Sequence, residues 1–209
     1  MTTILNKLVL ALSCSMFISQ AYGFSTAAPS PVKTVEWVDL QKFQGSWHEF
    51  ASIPQFFQRN CAKNTIANYS PDAEEGRIKV LNTCVRADGG LISARGQAKV
   101  FDPSTNAKLS VTFLNLGTWL YWVPGNYWIL DLGPDYRYTV IGDGNRDYAW
   151  IMSRTPRMSE EDLVSAMNTL KRNGYNLCDL NITPQDGGSP QPIKLCNIDS
   201  ELLKKVGEL

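Results

Sequence analysis

Residues 38–57 read VDLQKFQGSWHEFASIPQFF, and the fold of the chain depends on this stretch. From Gly45 onward the residues alternate as in a β-strand, which predicts a first strand over residues 45–53. The alternation divides the side chains between two faces, with Trp47, Glu49 and Ala51 on one and Ser46, His48 and Phe50 on the other. A glycine lets another segment approach its backbone closely, and a tryptophan two residues later can close the end of a small barrel.

Seven further strands are predicted, each separated from the next by turn-forming residues. Their expected ranges are 61–70, 78–82, 91–101, 108–114, 125–132, 136–141 and 148–153. Eight short strands with hairpin-length connections favour an up-and-down barrel, because a sandwich needs longer crossing connections. We therefore predict an all-β chain whose core is an eight-stranded antiparallel up-and-down barrel.

One segment after the eighth strand has helical periodicity. Ser159 is a good N-cap, acidic residues fill the first turn, and Gly174 ends the pattern. Apolar residues recur at helical spacing, at Leu163, Met167 and Leu170. Because this apolar stripe must be buried, we predict one C-terminal α-helix packed on the barrel wall, followed by a short ninth strand around residues 180–182.

The first 23 residues have the features of a secretory signal peptide, with Lys7 as their only charge and an apolar run after it. A lipoprotein processing site at Leu12-Ser13-Cys14 would leave Cys14 acylated, but its apolar run is very short, so we favour cleavage after Gly23. The predicted organisation is a signal peptide at 1–23, a flexible leader at 24–35, the barrel with its helix at 36–183, and a C-terminal tail at 184–209.

Composition excludes several classes of partner. The chain has 209 residues, 44% hydrophobic and 19% charged, which suits a single domain with a sizeable core. Removing the signal peptide leaves 19 basic and 20 acidic residues. No basic excess indicates nucleic-acid binding, and no charge asymmetry indicates a membrane surface.

Cysteine usage supports export. Past the signal peptide there are four cysteines: Cys61, Cys84, Cys178 and Cys196. An even number in an exported chain predicts two disulfides, and four cysteines allow three pairings. Spacing alone leaves the pairing open.

Two later stretches strengthen the interpretation of residues 38–57. Residues 131–138 (DLGPDYRY) hold an aspartate-tyrosine turn, Asp135-Tyr136, and residues 148–156 (YAWIMSRTP) hold Arg154 just after the eighth strand. Together with the Gly-x-Trp of the first strand, they resemble the three signature motifs of the lipocalins, in family order. The likeness is to the bacterial outer-membrane and apolipoprotein D type.

The resemblance implies structural roles for five residues: Gly45, Trp47, Asp135, Tyr136 and Arg154. Arg154 is expected to lie over Trp47 and close one end of the barrel, in a cation–π contact worth about 0.5–2 kcal/mol. The resemblance also implies the pairing Cys61–Cys196, which leaves Cys84 with Cys178.

Aromatic residues are concentrated between residues 113 and 128, where six occur. No lysine or arginine lies between Lys108 and Arg137, so stacking on single-stranded nucleic acid is excluded. Counting strands places the 113–126 connection at the same barrel end as the connection after the first strand. Both are apolar, which predicts an open mouth that accepts an apolar or amphipathic ligand.

The predicted mouth and cavity residues are Phe56, Phe57, Tyr69, Arg95, Lys99, Phe113, Trp119, Tyr121, Trp122 and Trp128. Arg95, Lys99 and Tyr69 are the expected polar contacts for a head group. Ordinary core packing is the alternative for Tyr127 and Trp128, because both lie within a strand. A membrane-facing or dimerising patch is the alternative for the apolar rim.

No residue pattern indicates catalysis, a cofactor or a metal. His48 is the only histidine, it has no nucleophile in suitable geometry, and strand alternation predicts that it is exposed. One histidine with oxidised cysteines argues against zinc, and an outward histidine argues against haem. Gly142-Asp143-Gly144 precedes no helix and is a hairpin turn rather than a nucleotide-binding loop.

The resemblance implies an exported carrier, secreted or periplasmic, that binds a fatty acid or lysophospholipid and serves envelope lipid maintenance or stress. We expect a monomer or a weak homodimer, with membrane proximity as a further expectation. One alternative is an enzyme on the same scaffold, which would need a free reactive cysteine or paired acids in the cavity. Another is an interaction protein that buries the apolar rim against a partner.

Overall fold

The computed structural model describes residues 30–198, and their strands form one closed antiparallel barrel. The strands are β1 (Gly45–Ser52), β2 (Lys63–Pro71), β3 (Arg77–Val85), β4 (Leu91–Val100), β5 (Lys108–Thr112), β6 (Tyr127–Leu132), β7 (Tyr138–Gly142), β8 (Ala149–Ser153) and β9 (Asn181–Ile182). Each strand from β2 to β7 pairs with the next, β1 pairs with both β2 and β8, and β9 adds to the edge of β1. The predicted eight-stranded up-and-down barrel is confirmed.

β1 closes the barrel because its two halves have different partners. Residues from Gly45 to His48 pair with β2, while His48 to Ser52 pair with β8. The register shifts between Glu49 and Ala51, so that Phe50 and Ala51 both pack outside the barrel. The expectation that Ala51 shares a face with Trp47 was therefore wrong, because a bulge interrupts the alternation.

Two hydrophobic clusters hold the fold together. One fills the closed end of the barrel and includes Trp47, Phe43 and Leu109. The other lies between the outer wall and helix α2 (Glu160–Arg172), which buries Leu163 and Leu170 there and packs Met167 against the same cluster. The predicted helix is thus confirmed.

Polar groups fix the start of α2. Ser159 Oγ accepts a hydrogen bond from the Asp162 backbone N–H, as an N-cap residue does. The Asp162 carboxylate accepts three hydrogen bonds from Arg137, at 2.6–2.9 Å. This ion pair links the helix to the connection that precedes β7.

Segments on both sides of the barrel pack against it. Within the range expected to be a flexible leader, Val32 is buried and the Val35 backbone N–H bonds to the Ile129 carbonyl. Within the expected tail, Leu195 is buried and its N–H bonds to Leu180. The predicted signal peptide at residues 1–23, which includes Cys14, lies outside the described part of the chain, as do residues 24–29 and 199–209.

The two disulfides join Cys61 to Cys84 and Cys178 to Cys196. This corrects the pairing of Cys61 with Cys196 and of Cys84 with Cys178. The Cα atoms are 5.5 and 4.9 Å apart, distances that a disulfide spans. Backbone pairing brings each couple together, since the Ala62 N–H bonds to Val85 and the Leu195 N–H bonds to Leu180.

Candidate functional site: a cavity open at one end of the barrel

The closed end of the barrel is built on Trp47. Its ring is fully buried, and its indole N–H donates to the Phe43 carbonyl at 2.8 Å. The Arg154 guanidinium carbon lies 3.6 Å from the Trp47 ring centroid, so the expected cation–π contact is confirmed.

Arg154 also ties together three backbone segments. Its guanidinium donates to the carbonyls of Tyr136, Ser46 and Lys42, at 3.1, 3.0 and 2.7 Å. Gly45 beside it has a φ of +94°, and a Cβ there would lie 3.3 Å from an Arg154 nitrogen. Only glycine suits this position, because it allows both the left-handed backbone and the close approach.

The aspartate-tyrosine turn lies next to this arginine. Asp135 and Tyr136 have φ values of 54° and 59°, and the Tyr136 hydroxyl accepts the Asp39 backbone N–H at 2.8 Å. Asp39 in turn caps α1 (Leu40–Phe43), whose last residue packs on Trp47. The five signature residues are thus assembled at one end of the barrel.

A cavity of about 450 Å³ occupies the opposite half. Its apolar lining residues are Phe57, Ile66, Ala67, Val80, Ile92, Ala94, Val111, Phe113, Val123, Trp150 and Met152. Its polar lining residues are Glu49, Gln58, Thr65, Tyr69, Asn82, Thr83, Asn126, Tyr127 and Tyr148, and the Cys61–Cys84 disulfide completes the wall. The volume is that of a site for one small ligand.

Among the described residues of this lining, Glu49 is the one acidic or basic side chain. It is 4% exposed and accepts hydrogen bonds from Ser52 Oγ at 2.9 Å, Gln58 Nε2 at 2.7 Å and Thr183 Oγ1 at 2.7 Å. Burial raises the pKa of the Glu49 carboxyl, and these three hydrogen bonds oppose the rise. None of its three partners carries a charge.

Two tyrosines lie at the boundary between the cavity and the closed-end cluster. The hydroxyls of Tyr69 and Tyr127 are 2.8 Å apart, and both rings are buried. Burial raises the pKa of Tyr69 to about 12 and the pKa of Tyr127 well above its usual value. Both hydroxyls therefore remain neutral at ordinary pH and can only donate or accept hydrogen bonds.

The structure brings three of the ten predicted ligand-binding residues to the cavity: Phe57, Tyr69 and Phe113. Arg95 and Lys99 do not reach it, because β4 turns Ile92 and Ala94 inward and leaves these two exposed on the outer face. The expectation that they hold a head group inside the cavity is thereby corrected.

The aromatic residues of the 113–126 connection lie outside the cavity lining, apart from Phe113 at its start. The Tyr121 hydroxyl donates to Gln97 on the outer wall at 2.7 Å, and the Lys99 ammonium lies 5.2 Å from the Tyr121 ring centroid. Trp119 pairs with Asn115 inside the connection, and Trp122 is 76% exposed. Tyr121 thus binds the outer wall, while Val123 and Asn126 of the same connection line the cavity.

Two further predicted residues also lie outside the cavity. Phe56 is 79% exposed on the rim, beside Phe57. Trp128 lies under the Lys108 ammonium at 3.9 Å and packs against the outer cluster, whereas its neighbour Tyr127 lines the cavity. The prediction named the wrong member of this pair, because strand alternation alone does not say which face is inner.

Other cavity residues were missed, although a signal for some of them was present. Glu49 shares the face of Trp47 in the first strand, and Trp150 and Met152 alternate in β8. Extending the inner face of each strand from Trp47 would have found these three. Gln58 carried no such signal, because it lies in a 3₁₀ turn at Phe56–Gln58.

His48 lies on the outer wall and is half-buried instead of exposed. Its Nδ1 has no hydrogen-bond partner, and burial lowers its pKa. Over residues 30–198 no group of three or more potential metal-ligating side chains is found. Within the same residues, none of the helices has the length and apolar character that crossing a bilayer requires.

Comparison with known proteins gives the same family throughout. Residues 38–185 match the model of the lipocalin-like domain. Temperature-induced lipocalin-1 of Arabidopsis thaliana is 35% identical over 164 residues, which cover 77% of this chain and 86% of that protein. Apolipoprotein D of Rattus norvegicus is 33% identical over 191 residues, covering 86% and 93%. The outer membrane lipoprotein Blc of Escherichia coli K12 is 30% identical over 154 residues, covering 73% and 82%.

Solved structures share the fold. Insecticyanin from the tobacco hornworm Manduca sexta superposes with a TM-score of 0.55 at 23% identity, covering 77% of this chain and 87% of that one. The cockroach allergen Per a 4 superposes with a TM-score of 0.55 at 21% identity, covering 74% of this chain and 94% of that one. The closed barrel, the assembled signature residues and the matched relatives lead to one conclusion: this chain belongs to the lipocalin family.

Proposed function

We propose that this protein is an exported carrier that encloses one small hydrophobic or amphipathic molecule in its barrel. The observation that carries the proposal is the 450 Å³ cavity, whose apolar walls open at only one end because Trp47 and Arg154 fill the other. A largely apolar cavity of this size binds a ligand by removing its apolar surface from water. Membership of the lipocalin family supports the same activity.

The proposed ligand has a single acyl-like chain, as a fatty acid or a lysophospholipid does. A chain of this kind suits a barrel that holds one small ligand. The names of two relatives, a temperature-induced lipocalin and an outer membrane lipoprotein, support a role in stress or in envelope lipid maintenance.

Export is the proposed route to the site of action. The two disulfides favour an oxidising compartment, and residues 1–23 have the composition of a signal peptide. We propose a secreted or periplasmic mature protein, and acylation at Cys14 is the alternative that would hold it at a membrane.

Enzymatic activity finds less support. A cysteine mechanism needs a free thiol, and within residues 30–198 all four cysteines are in disulfides. Acid–base catalysis by two carboxyls needs a second acid, and Glu49 is the one carboxyl among the cavity-lining residues that the structure describes.

Native mass spectrometry of the mature protein, purified from an exporting host, tests the carrier proposal. We expect a bound mass that organic extraction removes and that matches a single-chain lipid. The variant Ala94→Phe should lose this mass, because it fills the cavity from β4. Its neighbour Ser93 is exposed and absent from the lining, so Ser93→Phe serves as the matched control and should retain the mass.

The carrier proposal fails if Ala94→Phe and Ser93→Phe retain the same bound mass, because the ligand would then lie outside the barrel. A wild-type protein that neither arrives with a ligand nor takes up a neutral apolar dye would contradict it as well.

The rim of the mouth supports a second function, contact with a lipid surface. We define the mouth rim as Phe56, Phe57, Leu91 and Val123, which are all more than half exposed and lie in the cavity lining or directly beside it. Arg59 and Arg86 stand exposed on two neighbouring mouth connections and suit anionic head groups. Docking by this rim would place the cavity opening at the membrane from which a ligand is taken.

A further inference from the structure

In the part of the chain that the structure describes, the cavity lining contains an acidic side chain and no basic one. Glu49 lines its wall, and the lining residues within the described range 30–198 include no lysine, arginine or histidine. The two cations of β4 that lie nearest in sequence to the inward residues, Arg95 and Lys99, are on the outer face. Any polar group that enters the cavity therefore meets a carboxyl group and no compensating positive charge.

This balance disfavours an anionic group inside the cavity. Two carboxylates in an environment of low dielectric repel each other strongly, and one of them would have to take up a proton. The donors around Glu49 cannot relieve the repulsion, because Ser52, Thr183 and Gln58 already direct their hydrogen bonds to it.

The part of the cavity around Glu49 and Gln58 lacks a hydrogen-bond donor. Gln58 gives its amide N–H to Glu49, which leaves Gln58 Oε1 buried without a hydrogen-bond partner. A buried acceptor without a partner costs about 1–3 kcal/mol. A hydroxyl or ammonium group that entered beside Glu49 would supply the missing donor.

We propose that Glu49 and Gln58 form a subsite that selects lipophilic ligands whose polar end donates hydrogen bonds, either a hydroxyl or an ammonium group, over ligands that end in a carboxylate. This inference rests on the carrier function and names the class of polar end that the carrier accepts. A free fatty acid is disfavoured by it, whereas a single-chain lipid with a free hydroxyl is favoured.

Three probes with the same chain test the subsite: dodecan-1-ol, dodecylammonium and dodecanoate, each competing with a neutral fluorescent dye for the mature protein at pH 8. We expect dodecan-1-ol and dodecylammonium to bind at least tenfold more tightly than dodecanoate. Equal affinities, or a preference for dodecanoate, would overturn the subsite proposal.

Glu49→Gln removes the charge and keeps the shape. The new amide can still accept from Ser52 and Thr183, and its N–H can donate to Gln58 Oε1 after that amide rotates. We expect the variant to bind dodecylammonium at least tenfold more weakly than wild type does and to bind dodecanoate more tightly. The preference of the protein for dodecylammonium over dodecanoate should therefore disappear. Glu75→Gln, which alters an exposed carboxyl in the turn before β3, is the matched control and should leave the ranking unchanged.

The outcomes separate the two proposals. Suppose that the dye and all three probes bind the wild-type protein. If their affinities are equal, or if Glu49→Gln leaves the order of affinities unchanged, the subsite proposal is wrong and the carrier proposal is retained. If neither dye nor probe binds the wild-type protein, both proposals are wrong. If Glu49→Gln does not fold, the wild-type ranking alone decides.

Discussion

Arg154 stabilises the closed end through four contacts at once, one with the Trp47 ring and three with backbone carbonyls. The carbonyls belong to the segment before β1, to β1 itself and to the turn before β7. A single side chain thus joins parts of the chain that are more than a hundred residues apart.

Arg154→Gln is predicted to lower the free energy of unfolding by about 2–4 kcal/mol, because it removes a cation–π contact and hydrogen bonds from a charged donor. Urea unfolding followed by tryptophan fluorescence measures the loss. Arg95→Gln, on the exposed outer face of β4, should change it by less than about 0.5 kcal/mol. Equal effects of the two substitutions would show that the closed end does not depend on Arg154.

Glu49 makes stability depend on pH. Burial raises the pKa of its carboxyl above 4.5, so the folded protein holds this proton more tightly than the unfolded chain does. The resulting stabilisation is complete below the unfolded pKa and is lost as the pH rises through the folded pKa. The loss amounts to about 1.4 kcal/mol for each pH unit that separates the folded pKa from the unfolded pKa.

Glu49→Gln is therefore predicted to gain stability relative to wild type between pH 4.5 and pH 8. Urea unfolding of both proteins at the two pH values gives the difference directly. The constant effect of changed hydrogen bonds cancels in this comparison, since it is present at both pH values. A difference that does not change with pH would mean that the pKa of Glu49 is not raised.

At the scale of elements, each disulfide joins neighbouring pieces of backbone. Cys61–Cys84 links the start of β2 to the end of β3 at the mouth, and Cys178–Cys196 links the turn after α2 to the turn after β9. The bonded cysteines are 23 residues apart in the first and 18 in the second. Neither spans from the mouth to the C-terminal tail.

Peptide mapping of the unreduced mature protein should find Cys61 linked to Cys84 and Cys178 linked to Cys196. Replacing both cysteines of either pair with serine should lower the free energy of unfolding by up to about 3 kcal/mol, by the loop-closure estimate. A peptide that contains Cys61 joined to Cys196 would contradict the pairing.

At the scale of the whole molecule, the two ends of the barrel differ in what they present. One end is filled by buried side chains, and the other carries the mouth rim of exposed apolar residues beside Arg59 and Arg86. An exposed apolar patch of this kind marks a contact surface. Docking by this rim, as proposed above, would bring the cavity opening to the lipid surface.

Phe56→Ser with Leu91→Ser is predicted to reduce co-sedimentation with vesicles containing anionic phospholipid at least fivefold, because exposed apolar surface of the rim is lost. Trp37→Ser is the control, since Trp37 is 58% exposed but lies at the closed end, where Val38 bonds to Thr105. If the control loses as much binding as the rim variant, the rim is not the docking surface.

The architecture of this protein follows from its amino-acid sequence alone. Alternation within short strands, turn residues at short intervals and one helical stripe agree with each other, and together they predict one barrel with one helix. The contact of Arg154 with Trp47 was predicted from the resemblance to the lipocalin motifs, which implies that the arginine after β8 lies over the tryptophan of β1.

The ligand-binding half, in contrast, depends on tertiary contacts that no local pattern encodes. The bulge after Glu49, the attachment of Tyr121 to Gln97 and the outward direction of Arg95 arise from contacts between residues far apart in the chain. Alternation separates two faces but does not say which one faces inward once a bulge or a long connection intervenes. The isolated carboxyl of Glu49 emerged in the same way, because its neighbours come from three separate segments.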